Sequence, residues 1–172
     1  LKMNSPQNKR KELEHILNRD NFVKISSAIK ALRDESPFGG AIGLLVSFYD
    51  RTDNHSIKRL IEEFLNDLKD QNSCREVVDE LGKSLKPETL RMLVASCWQS
   101  GLDYAPYSSV FARLFFSDDY MTSVECYTVI ESSAENIDRA GKDEVIRIIS
   151  NGISAAGKDL GALAGDLILL MK

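Results

Sequence analysis

The sequence predicts an all-α fold, and three observations carry that prediction. Apolar residues recur every three or four positions along nearly the whole chain, as on the buried stripe of a helix, while no stretch alternates as a half-buried strand would. Helix-start signals stand between successive stripes. The turns are short and polar, which pairs consecutive helices antiparallel.

Ten helices follow, over 6–18, 20–33, 37–50, 54–70, 74–83, 87–100, 106–116, 119–133, 141–152 and 158–171. The first opens on Ser5-Pro6, a capping serine before a first-turn proline, and only Leu13, Ile16 and Leu17 interrupt its charge. Phe22, Ile25, Ile29 and Leu32 form the stripe of the second. Ser36-Pro37 repeats the start signal for the third, which then contains Gly39, Gly40 and Gly43. Each glycine costs a helix interior about 1 kcal/mol against alanine, so a close approach by a neighbouring helix is expected there. The fourth has the cleanest stripe: Ile57, Leu60, Ile61, Phe64, Leu65 and Leu68.

Ser73-Cys74-Arg75-Glu76 reads as a capping box for the fifth helix, and Pro87 and Pro106 suit the first position of the sixth and seventh. Phe111, Leu114 and Phe115 give the seventh its buried face; Ser117-Asp118-Asp119 caps the eighth. Tyr120, Val124, Tyr127 and Ile130 are its expected stripe, with Cys126 a small thiol flanking the core. Ala-Gly-Lys-Asp occurs at 140–143 and again at 156–159, where a glycine can close one helix and an aspartate open the next. The phosphate-loop reading of Gly-Lys fails, because G-x-x-x-x-G-K-[ST] is absent and no strand precedes either copy.

The helices pair as five hairpins, each 33–35 residues from the next. A shift of 33 places Val77, Val78 and Leu81 on Val110, Phe111 and Leu114; a shift of 34 places Phe111, Leu114 and Phe115 on Val145, Ile148 and Ile149. A fixed period of this size marks a helical solenoid, in which stacked neighbours share one core. Short helical pairs with a turn such as Phe116-Ser117-Asp118-Asp119 resemble HEAT or armadillo-type repeats, over about residues 36–155. The resemblance implies a short right-handed αα superhelix of about five stacked hairpins, acting as a scaffold. An irregular helical bundle is the alternative arrangement. Either way, residues 1–172 are expected to form a single all-helical domain.

Composition narrows the function. A chain with 43% hydrophobic and 28% charged residues is that of a soluble globular protein, and its net charge of −4 gives no general attraction to nucleic acid or anionic lipid. The first twenty residues hold no apolar stretch of leader type, and the longest apolar run, residues 37–49, falls short of the ~20 that span a bilayer. A cytoplasmic protein is expected. Cys74, Cys97 and Cys126 are odd in number and widely spaced, which suits reduced thiols. His15 and His55 stand singly, so no metal site, no cofactor and no catalytic base beside Cys126 are expected, and the chain reads as a non-enzyme.

Three surfaces stand out. Residues 103–138 carry seven acidic side chains and one basic, Arg113, against eight basic and five acidic in residues 1–35. Helical arithmetic puts Glu125, Thr128, Ser132 and Glu135 on one flank of the eighth helix with Glu131 beside it, either an acidic groove for a basic partner or a solvated outer face. Trp98, Tyr104 and Tyr107 gather around the turn that precedes the seventh helix, as a binding hot spot or as packing between hairpins. The last helix carries Leu167, Ile168, Leu170 and Met171 around a full turn, so either another segment covers it or two copies meet there in a homodimer.

The leading reading is a protein-interaction module that binds a basic partner through the acidic flank. Some HEAT-like proteins are alkylpurine DNA glycosylases, but such a role needs a basic concave face with an aromatic residue and a catalytic aspartate, and the basic residues here are dispersed. A small-ligand pocket between the aromatic turns is the other alternative; its mark is a carboxylate of raised pKa in a concave site.

Overall fold

The computed structural model describes residues 5–35 and 37–172, and all regular structure within them is helical. The ten α-helices are α1 Pro6–Leu17, α2 Phe22–Arg33, α3 Ala41–Arg51, α4 His55–Asn66, α5 Ser73–Leu81, α6 Pro87–Gln99, α7 Ser108–Leu114, α8 Tyr120–Ser133, α9 Arg139–Gly152 and α10 Lys158–Leu170. Single 3-10 turns, Ala105–Tyr107 and Ile153–Ala155, precede α7 and α10.

Several start signals act as the sequence predicts. Ser5 caps α1, accepting from the Asn8 amide, with Pro6 as the first helical residue. Asp119 caps α8 through the Thr122 amide (3.3 Å) and hydroxyl (2.7 Å).

The start of α3 differs. Ser36 lies outside the described residues, and Pro37, Gly39 and Gly40 precede the helix instead of entering it. Gly40 is the N-cap residue with φ +92, a left-handed conformation that glycine adopts without steric cost. It has no side chain to cap with, and the acceptor comes from α5: the Gly43 amide donates to Glu76 Oε1 (3.2 Å). Glu76 is therefore committed to α3 and closes no capping box at Ser73, which is the first residue of α5 after Asn72. Gly40 and Gly43 meet the expected close approach, and in both cases the neighbour is a side chain. A Cβ on Gly40 would sit 3.0 Å from Arg10 Cδ of α1 and one on Gly43 2.8 Å from Glu80 Oε1 of α5, whereas Gly39 has nothing within 4 Å. Pro106 is likewise displaced, into the 3-10 turn before α7. The first Ala-Gly-Lys-Asp copy lies within the opening of α9, where Asp138 is the cap, and only the second follows a helical segment, with Gly157 at the N-cap of α10.

The helices cluster into two compact units, Leu1–Thr89 and Leu90–Lys172. In the first, α1 packs on α2 and α3, α2 on α4, and α3 on α4 and α5. Its core joins Leu13 and Leu17 of α1, Ile25 and Ile29 of α2, Ile42 and Leu45 of α3 and Ile57, Ile61 and Leu65 of α4. Phe22, expected in the α2 stripe, is instead 48% exposed at the first position of the helix. Arg33 bonds both Glu63 and Asp67 across α2 and α4, and the Tyr49 hydroxyl donates to Glu62 (2.7 Å) across α3 and α4.

In the second unit α7 packs on α8 and α9, and α10 on α8 and α9. Tyr104, Phe111, Phe115, Cys126, Ile130, Val145 and Ile149 are fully buried or nearly so. The buried face of α8 is not the expected stripe: Tyr120 is exposed and Val124 and Tyr127 are half-buried, while Thr122, Ser123, Cys126, Val129, Ile130 and Ser133 face inward. Small hydroxyl residues tolerate that position because they bond locally, as Thr122 and Ser123 do to Asp119.

Burial also corrects the internal register. At a shift of 34, Val77, Phe111 and Val145 are all buried, as are Leu81, Phe115 and Ile149. At the expected shift of 33, buried Val77 and Leu81 meet half-buried Val110 and Leu114 instead, because that offset rotates the helix face by one residue.

Candidate interaction surface

The acidic flank lies on α8 except for Glu135, which helical arithmetic places on that helix and which stands in the turn after its last residue, Ser133. Glu131, Ser132 and Glu135 are exposed, and Glu125 and Thr128 are half-buried. The two hydroxyls turn back to their own helix, Thr128 to the Val124 carbonyl (3.0 Å) and Ser132 to that of Val129 (2.9 Å), which leaves the carboxylates as the polar groups projecting outward. Among the described residues no lysine or arginine pairs with Glu125, Glu131 or Glu135. Other acids of the same unit are paired: Asp119 with Arg91 (3.5 Å), Glu144 with Arg113 (3.4 Å) and Arg147 (2.7 Å), Asp143 with Arg139 (2.5 Å). The acidic field extends onto α10. Burial and the charges of Glu131 and Asp166 together push the Tyr127 phenol above its usual range.

The aromatic turn divides. Tyr104 is 1% exposed and belongs to the core, edge-to-face on Phe111 (centroids 5.7 Å) and tilted against half-buried Tyr107 (6.4 Å). Trp98 lies elsewhere, 39% exposed, and its indole N–H donates to Glu125 Oε2 at 2.6 Å. The acidic flank and the one outward aromatic of the turn are thus one surface. The sequence gives no sign of this pairing across 27 positions. It also gives no sign that Met121, one turn before Glu125, is exposed.

The C-terminal turn is largely covered by its own unit. Leu167 and Met171 are fully buried and Ile168 and Leu170 half-buried, with α8 and α9 packed against α10; Leu169 alone of the run is well exposed. The apolar run thus finds its cover within the chain, which removes the reason for expecting a second copy there.

Cys74, Cys97 and Cys126 are buried and form no disulfide. Burial, aided by the charge of Glu125, pushes the Cys126 thiol up to about 12, so it is not a nucleophile near neutrality. His15 and His55 are exposed. Among the described residues no three His, Cys, Asp or Glu side chains are grouped to hold a metal ion, and no helix is long and apolar enough to cross a membrane. An open groove of about 390 Å³ in the second unit is lined by Phe116, Ser117, Asp118, Gly152 and the turn to α10. Asp119, next along the chain to Asp118 of its lining, is held below the usual range by the Thr122 hydroxyl and the Arg91 charge.

No family model matches the chain, and neither a search of curated proteins nor one of solved structures returns a significant match.

Proposed function

We propose that this chain is a non-catalytic protein-interaction module of the helical-repeat kind, its hairpins stacked in HEAT-like fashion, and that the acidic flank of α8 receives a basic segment of a partner protein. The observation that carries the reading is the set of carboxylates at Glu125 and Glu131 on α8 and Glu135 in the turn that follows it, which among the described residues have no lysine or arginine partner. An unpaired, aligned set of like charges repels itself and is relieved when a cationic partner binds. The repeat part of the reading is supported by the hairpin contacts within each unit and by the in-phase burial of α5, α7 and α9 at 34 residues.

The test compares the native chain with a Glu125→Lys, Glu131→Lys, Glu135→Lys variant of matched stability. Binding of an arginine- and lysine-rich peptide, followed by fluorescence anisotropy, is expected for the native chain and lost in the variant, and to weaken with salt. Affinity capture from lysate then identifies the partner as a protein retained by the first and lost by the second. Equal binding by both forms removes the acidic flank from the account.

A further inference from the structure

We infer that Trp98 and Glu125 form an anchor that reads arginine, a reading that rests on the acidic flank being the site for a basic segment. Trp98 is the only tryptophan in the chain and keeps more than a third of its surface in water. Its indole N–H is held by Glu125 Oε2 at 2.6 Å, which fixes the ring beside the carboxylate. Glu125 Oε1 receives no hydrogen bond from the described residues.

A planar guanidinium satisfies both groups together. It can stack its face on the indole while its in-plane N–H groups donate to a carboxylate oxygen. A lysine ammonium is a compact, strongly hydrated charge and makes the second contact without the stacking. Exposed Met121, one turn before Glu125, offers an apolar shoulder to the aliphatic stem of the incoming side chain.

The nearby cations are engaged elsewhere. Arg91, two turns before Trp98 on α6, pairs with Asp119, and Arg113 pairs with Glu144. The Arg91–Asp119 and Trp98–Glu125 contacts join α6 to α8 at two levels, so both members of the anchor are positioned by helix and not by loop. The occupant is therefore an arginine side chain within a basic segment of a partner protein, bound by charge complementarity to the unpaired acids of the flank.

The test uses the full chain with three peptides of one length: arginine–glycine–serine, its lysine counterpart and its citrulline counterpart, which keeps the shape of arginine without the charge. Anisotropy of the labelled peptide measures affinity, and tryptophan emission reports contact at Trp98 alone. The arginine peptide is expected to bind tightest and to change the emission. Trp98→Leu should weaken it about three- to fivefold and erase its advantage over lysine. Glu125→Gln, which keeps an acceptor for the indole and so preserves the local fold, should weaken it by a similar factor. An arginine peptide that binds without changing the emission, and binds Trp98→Leu equally well, overturns the anchor while leaving the acidic flank as the site. Binding to neither the native chain nor its variants overturns the flank reading and the anchor with it.

Discussion

Replacing Gly152 by alanine should destabilise the second unit, although the same change at two other helical glycines should stabilise it. Gly152 ends α9 with φ −85 and ψ −22, a backbone conformation open to any residue, so the substitution carries no conformational penalty. The obstacle is packing: a Cβ on Gly152 would overlap the ring of Phe116. That ring stands edge-to-face on fully buried Phe115, with centroids 5.2 Å apart and planes at 86°, so moving it disturbs the core.

Overpacking of this kind costs about 1–3 kcal/mol. The helix-propensity gain of alanine offsets less than about 1 kcal/mol of it at a helix end. A net loss of about 1–2 kcal/mol follows. Gly161 and Gly165 lie inside α10 with nothing within 4 Å of a Cβ, so alanine at either should add about 0.5–1 kcal/mol. Urea unfolding followed by far-UV circular dichroism, with slopes checked for equality, reads the difference. A Gly152→Ala, Phe116→Leu double variant should recover part of the loss through a favourable coupling between the sites. A Gly152→Ala protein as stable as the native chain would refute the packing argument.

Four further predictions concern other parts of the molecule. Glu76→Ala should cost about 1 kcal/mol in urea unfolding because the Gly43 amide at the start of α3 loses its side-chain acceptor, and Glu76→Gln should retain most of it. Iodoacetamide at neutral pH should leave all three buried cysteines unlabelled until the chain unfolds. Because the folded Cys126 thiol ionises near 12 against about 9 when unfolded, its contribution to stability is complete below about 9. That contribution is lost as the pH rises from there towards 12, and Cys126→Ala should flatten this limb. The Asp119 carboxyl is held low by Thr122 and Arg91, so its stabilisation is present above about 4 and lost as the pH falls through the lower folded value. Asp119→Asn should show a shallower acid limb in a pH series of unfolding midpoints.

Most of the secondary structure was legible because it is written locally. Ser5-Pro6, Pro87 and Asp119 mark their helices within a few residues, and the stripes of α4 and α7 name their buried faces. What the sequence concealed depends on partners distant along the chain. Ser73 and Glu76 have capping-box spacing, yet Glu76 serves the amide of Gly43 on another helix. The α8 stripe misled because Tyr120 is exposed while Thr122, Ser123 and Ser133 are buried, the first two bonded locally to Asp119. The acidic flank was visible from helical arithmetic, whereas the bond that joins Trp98 to it spans two helices and leaves no local trace. The C-terminal apolar turn looked unpartnered only because the helices that cover it come earlier in the chain.

The most direct test of the interaction reading is an amide chemical-shift map. Uniformly labelled native chain would be titrated with the arginine–glycine–serine peptide and followed by two-dimensional heteronuclear spectra. The account predicts that shifts concentrate on the Trp98 indole N–H and the amides around Glu125, Glu131 and Glu135, and that they vanish in the triple charge-reversal variant. Shifts that cluster elsewhere, or none at all at saturating peptide, would contradict it.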